Sequence, residues 1–182
     1  MKSNLAVSTI AQKFNISRSG ADVAITSVSM ASSTCKPGSL FVATAGLKHH
    51  GLDFLQQALA NGAVAVLSDR EVSGIPSLLH ADPKAIAGEL SDLVYGTSDS
   101  QMTLFGVTGT NGKTSVTQLV AQALDLLGQH CGIVGTLGTG FYGALQSGLH
   151  TTPNPIAVQA TLADLKKAGA KAVAMEVSSH GL

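Results

Sequence analysis

Ten residues, Gly106-Val-Thr-Gly-Thr-Asn-Gly-Lys-Thr-Ser115, carry the clearest chemistry in this sequence. Glycines let successive backbone N–H groups turn toward one point, and a helix beginning just after them adds positive potential there. A lysine in that place supplies a mobile charge for the outer phosphates of a nucleoside triphosphate, and the following hydroxyl suits Mg²⁺. The segment reads as a phosphate cradle formed by Gly109, Thr110, Asn111, Gly112, Lys113, Thr114 and Ser115, in a protein that spends ATP or GTP. It departs from the common P-loop at one position. The glycine expected five residues before Gly112 is replaced by Val107.

Two more segments carry polar groups that could meet at that cradle. One is His150-Thr-Thr-Pro153, after a glycine-rich connection from Gly135 to Gly148. The other is Glu176-Val-Ser-Ser-His-Gly181. Glu176 closes an otherwise apolar run, Ala172 to Val177. A carboxylate there is costly unless something compensates it. Mg²⁺ bridging nucleotide phosphates is the natural compensation, because it takes few carboxylates and keeps phosphate and water oxygens. A solvated acid or a lysine partner is the plainer alternative. Thr151, Thr152, Ser178 and Ser179 offer hydroxyls that suit anionic or sugar-like ligands and equally suit turn capping. His180 reads more simply as a structural residue than as a metal ligand. His49 and His50 are adjacent, so their side chains point apart, and they read as loop rather than as a metal pair.

These residues need a scaffold that brings strand ends together. Thr103–Val107 is an apolar lead-in with strand character, and Val116–Leu127 has helical spacing, which gives strand, loop, helix. Cys131–Thr136 and Ala172–Val177 read as further strands, with a helix over Pro155–Ala168 between them. The front of the chain alternates similarly. A helix is expected over Leu5–Phe14 and strands over Val23–Val28, Leu40–Ala43, Ala63–Leu67 and Ser77–Leu79. Helices are expected over Asp53–Asn61 and from Pro83 to about Tyr95, with Asp82 as the cap of the latter. Alternation of this kind implies parallel sheets covered by helices. In such sheets the carboxyl ends of the strands face one crevice. The polar stretch Gly96–Gln101 marks a boundary, dividing residues 1–98 from 99–182.

Composition narrows the classes further. The chain has 182 residues, 45% apolar and 12% charged, with 20 glycines and a formal net charge of zero. That suits one or two compact α/β domains. There is no basic block, so nucleic acid is not expected as a partner, since that binding depends on phosphate neutralisation. No stretch nears the ~20 apolar residues of a membrane span. No apolar leader is apparent, and Cys35 and Cys131 lack metal-type spacing. They read as reduced thiols of a cytoplasmic protein.

Taken together, Thr108–Thr114, Thr151-Thr-Pro153 and Met175-Glu-Val-Ser-Ser-His-Gly-Leu182 resemble the Mur ligases of bacterial cell-wall synthesis, in particular members that add the third residue to the peptide stem. The loop alone is shared with folylpolyglutamate synthases and cyanophycin-type ligases, which are the alternative reading. Ser39-Leu-Phe-Val-Ala43, followed by Gly46, is similar to the family's uridine-binding domain. The resemblance implies a small α/β UDP-substrate domain followed by the first part of a P-loop-type parallel-sheet ATPase domain. It implies a reaction in which ATP phosphorylates the D-glutamyl carboxylate of UDP-N-acetylmuramoyl-L-alanyl-D-glutamate and a diamino acid attacks the acyl phosphate. Lys113 and Glu176 would be catalytic, with Thr114 and Glu176 holding Mg²⁺. Met30, Ser32, Leu47, Lys48, His49, His150, Thr151, Thr152 and Ser178 would bind the UDP-linked substrate. One departure is plain: Ala31-Ser32-Ser33 stands where relatives commonly have Asp-Ser-Arg. The resemblance also leads to the expectation of a monomer, and of a chain that is the front part of a longer enzyme.

Overall fold

A computed structural model of the chain describes residues 5–46, 48–98, 101–146 and 154–177. The chain divides into two compact units, residues 1–95 and 96–182, at the turn-rich stretch that follows Tyr95.

The front unit contains β1 (Leu5–Ala6), α1 (Val7–Phe14), β2 (Ser17–Ser19), β3 (Ala24–Ile25), β4 (Ser27–Ser29), β5 (Ser39–Ala43), α2 (Leu55–Ala60), β6 (Ala63–Ser68), β7 (Ser77–Leu79) and α3 (Pro83–Tyr95). Its sheet runs β2-β7-β6-β5-β4. The strands β4 to β7 are parallel, and β2 closes one edge antiparallel to β7. β1 and β3 form a separate two-stranded ribbon, so the expected Val23–Val28 strand is broken into two pieces with different partners.

Every residue of β5 is buried. Side chains alternate across a strand. Phe41 and Ala43 therefore join Ala58, Ala63 and Val66 on the α2 face, while α3 lies against β4 and β5. Burying a Phe or Leu completely contributes roughly 1.5–3 kcal/mol, so the apolar rows of β5 and β6 hold this unit. Asp82 caps α3, its Oδ1 accepting from the N–H groups of Lys84 and Ala85 at 3.1 and 3.2 Å.

The second unit contains β8 (Thr103–Val107), α4 (Lys113–Leu126), β9 (Cys131–Gly135), β10 (Gly138–Phe141), β11 (Ala144–Gln146), α5 (Pro155–Lys167) and β12 (Ala172–Glu176). The strand order is β11-β10-β9-β12-β8. β12 inserts between β9 and β8 and is parallel to both. The two faces are covered by different helices. Ala121 of α4 packs with Cys131, Ile133, Ala172 and Ala174. Leu162 and Leu165 of α5 pack with Val134 and Val173. Gly132 permits the close approach of α5, because a Cβ there would lie 2.9 Å from Leu165 Cδ1.

The sheet is not purely parallel. Part of the expected Gly135–Gly148 connection folds as β10 and β11, an antiparallel ribbon that extends the sheet beyond β9. Gly143, at φ 79°, turns the chain between Phe141 and Ala144, a left-handed conformation that glycine adopts without a Cβ penalty. Among the described residues, no helix is long and apolar enough to cross a membrane.

Candidate functional site

The segment read as a phosphate cradle lies between β8 and α4. β8 ends at Val107, and α4 begins at Lys113, one turn earlier than periodicity alone predicts. Gly112 is the N-cap of α4 at φ 80°, ψ 0°, and Gly109 is at φ 147°. Both conformations favour glycine. Residues 108–112 are exposed, so the loop's backbone is open to a ligand. Lys113 turns back over the loop, donating from Nζ to the Gly109 carbonyl at 2.7 Å. Thr117, fully buried, donates to the carbonyls of Lys113 and Thr114 and fixes the first turn of the helix. Thr114 and Ser115 lie in that same turn.

Glu176 is the last residue of β12, in the middle of the three parallel strands. It pairs with Val107 of β8, and the amide of Val177 donates to the Val107 carbonyl at 2.8 Å. Glu176 therefore stands at the strand end beside the one that launches the cradle. Its side chain is not solvated, and among the described residues no lysine pairs with it. It is 2% exposed, and its carboxylate accepts two hydrogen bonds from Thr136, one from the backbone N–H at 3.1 Å and one from the hydroxyl at 2.9 Å. Sequence reasoning does not single out Thr136. The signal available is a hydroxyl immediately after a glycine-ended strand, opposite a strand-end acid. His150, Thr151, Thr152 and Ser178, with Ser179 and His180, lie outside the described residues.

In the front unit, Met30 and Ser32 follow β4, and the segment containing Lys48 and His49 follows β5. β4 and β5 are parallel neighbours, so both segments leave from the same end of the sheet. Ser32 is held tightly: its hydroxyl donates to Gln57 at 2.7 Å, and its carbonyl accepts from Asn61 at 2.9 Å. Lys48 and His49 are exposed, and the Gly46 amide donates to the His49 carbonyl. Leu47 lies outside the described residues.

His50 behaves differently from His49. It is buried, its Nδ1 accepts from the Leu52 amide, and its Nε2 lies 2.8 Å from Asp69 Oδ1. It caps the 3₁₀ turn Gly51–Phe54, and Asp53 completes the cap by accepting from the His50 amide. The two histidines thus form no metal pair, and among the described residues no cluster of three metal-ligating side chains occurs.

The two cysteines are free and buried. Burial raises the pKa of both thiols above the ordinary value.

With this arrangement in view, the comparisons with known proteins agree. Residues 107–182 match the Mur ligase middle domain, and residues 24–95 match the Mur ligase family, catalytic domain. The chain belongs to the Mur ligase family. It is 57% identical over 181 residues to UDP-N-acetylmuramoyl-L-alanyl-D-glutamate–2,6-diaminopimelate ligase of Pseudomonas syringae pv. tomato, a match covering 93% of this chain and 37% of that protein. The Pseudomonas aeruginosa protein of the same name is 56% identical over 169 residues, covering 88% and 34%. The chain therefore spans little more than a third of the length of these curated relatives.

Solved structures lead to the same group. A ligase of that name aligns with a TM-score of 0.71 at 30% identity, over 87% of this chain and 33% of that one. The MurF ligase of Thermotoga maritima, solved in complex with ADP, aligns with a TM-score of 0.61 at 21% identity, over 84% and 32%. At that identity the likeness is one of fold.

Proposed function

We propose that this chain supplies the UDP-substrate unit and the nucleotide-binding front of a ligase that joins a diamino acid to UDP-N-acetylmuramoyl-L-alanyl-D-glutamate at the expense of ATP. The observation that carries the reading is the pairing of β8 with β12, which sets an exposed glycine loop beside a buried strand-end carboxylate. The names borne by the relatives at 55–57% identity support the substrate assignment.

In this reading Gly109, Thr110, Asn111, Gly112, Lys113, Thr114 and Ser115 receive the ATP phosphates. The loop amides and the start of α4 orient the γ-phosphate toward the substrate carboxylate. Lys113 leaves the Gly109 carbonyl and neutralises charge that grows on the transferring phosphoryl group. The D-glutamyl carboxylate takes the γ-phosphoryl group and ADP leaves, the incoming amine attacks the carbonyl carbon of the acyl phosphate and loses a proton, and inorganic phosphate leaves. A hydroxyl and a carboxylate are hard oxygen donors, and the Glu176 oxygens keep acceptor capacity beyond their two bonds to Thr136. Thr114 and Glu176 thus fit Mg²⁺, which when bound would screen the phosphate charge.

Met30, Ser32, Leu47, Lys48 and His49 hold the uridine diphosphate part. His150, Thr151, Thr152 and Ser178 meet the muramoyl-peptide part. The reading is of a monomeric cytoplasmic enzyme acting on small molecules, and the zero formal net charge supports the lack of a nucleic-acid partner.

The test uses the complete ligase containing this chain, mixed with ATP, the UDP-linked dipeptide and diaminopimelate or lysine. Phosphate release should require all three. Release that is indifferent to the dipeptide overturns the assignment.

A further inference from the structure

The hold on Glu176 is more specific than burial of an acid requires. One residue, Thr136, supplies both donors, the backbone N–H to Oε1 and the hydroxyl to Oε2. Two bonds from one residue to the two oxygens of one carboxylate fix its plane as well as its position. The space for it is made by the preceding residue. A Cβ on Gly135 would collide with Oε1 and come within 2.8 Å of the carboxyl carbon. Gly135 and Thr136 therefore form a slot and a clamp at the end of β9. The backbone of Glu176 is fixed independently by its pairing with β8.

We propose that Gly135-Thr136 is the positioning element of this site, holding the Glu176 carboxylate in one orientation for the magnesium ion of the bound nucleotide. Thr136 acts through Glu176 and is a positioning residue, not a catalytic one. The inference rests on the nucleotide reading above. It goes further by assigning the geometry of the acid to a neighbouring strand end. Preorganisation of this kind matters because a carboxylate free to rotate must be immobilised when the ion binds, and that cost weakens binding.

The experiment measures binding of a non-hydrolysable ATP analogue to the 182-residue chain by calorimetry while Mg²⁺ is varied. The variants are Thr136→Val, Thr136→Ser and Gly135→Ala, each checked for folding by circular dichroism. Thr136→Val keeps the shape and loses the hydroxyl donor. It should raise the Mg²⁺ concentration for half-maximal tightening by about tenfold, as expected for a lost bond to a charged group. Analogue affinity without metal should stay within about twofold. Thr136→Ser restores the donor and should return the Mg²⁺ requirement to within about threefold of the parent. Gly135→Ala should raise it like Thr136→Val, and it decides the matter if Thr136→Val does not fold. A parent-like Mg²⁺ requirement in Thr136→Val or folded Gly135→Ala overturns the proposal, as does a Thr136→Ser as impaired as Thr136→Val. If the unmodified chain binds the analogue with no Mg²⁺ dependence, the nucleotide–metal reading falls and takes this proposal with it.

Discussion

Lys113→Ala separates the lysine's role toward a ligand from its role in the fold. Among the described residues its ammonium donates to the Gly109 carbonyl at 2.7 Å on an exposed loop. A bond in that setting contributes about 1 kcal/mol or less. Alanine has, if anything, better helix propensity at the start of α4. The loss of stability should therefore be about 1 kcal/mol at most, a shift of roughly 2–4 °C in the melting temperature of a chain this long. Against phosphate the same ammonium would make charge-assisted bonds worth about 1.5–3 kcal/mol. Since 1.4 kcal/mol is about tenfold in affinity, nucleotide binding should weaken by roughly 10- to 150-fold. The assay pairs calorimetric titration of ATP–Mg²⁺ with a thermal melt of the same sample. An affinity change below about threefold would refute the phosphate role of Lys113, given how strong such bonds are. A melting loss of ~10 °C with unchanged affinity would show instead that the lysine serves the loop.

The remaining expectations concern stability and titration. Ile133, 1% exposed on the α4 face of the second sheet, should cost about 2–5 kcal/mol when changed to alanine, read from urea denaturation midpoints. Cys35 and Cys131 have thiol pKa values raised by burial. The folded state thus keeps protons that the unfolded state loses above its ordinary thiol pKa of about 8.5, so stability should fall as pH rises past that point. Cys35→Ser with Cys131→Ser should flatten the decline. Asp22 has its pKa lowered by the Ser8 hydroxyl first and the Ser8 amide second. The stability this adds is present above the unfolded carboxylate pKa of about 3.9 and is lost as pH falls through the lower folded value, and Asp22→Asn should remove that part of the acid dependence.

Much of the candidate site's backbone is legible in the residues because local rules coincide there. The glycines of the cradle, the apolar run before it and the helical spacing after it are all short-range signals, and the structure joins them as β8, loop and α4. The cap at Asp82 is equally local. What escapes the sequence is long-range. Glu176 is recognisable as a costly acid, but its partner Thr136 lies 40 residues away and is brought near only because β12 inserts beside β9. The ribbon β10–β11 is hidden because glycines that read as loop also permit a tight antiparallel turn. His50 escapes for a similar reason. Its anchor, Asp69, follows a different strand, and the one local sign that sets it apart from exposed His49 is Asp53, three residues on, which completes its cap.

The strand order of the second sheet ends at β8, whose far margin pairs with no other strand among the described residues. Leu104 and Phe105 are exposed on that strand, Leu119 and Leu126 are exposed on α4, and Leu127 is exposed just past its end. A bare margin with greasy side chains is a template on which another extended segment can polymerise. In concentrated solution this chain should therefore grow light-scattering particles through backbone pairing, and a lysine introduced at Leu104 should suppress them by making the stacking of copies electrostatically unfavourable.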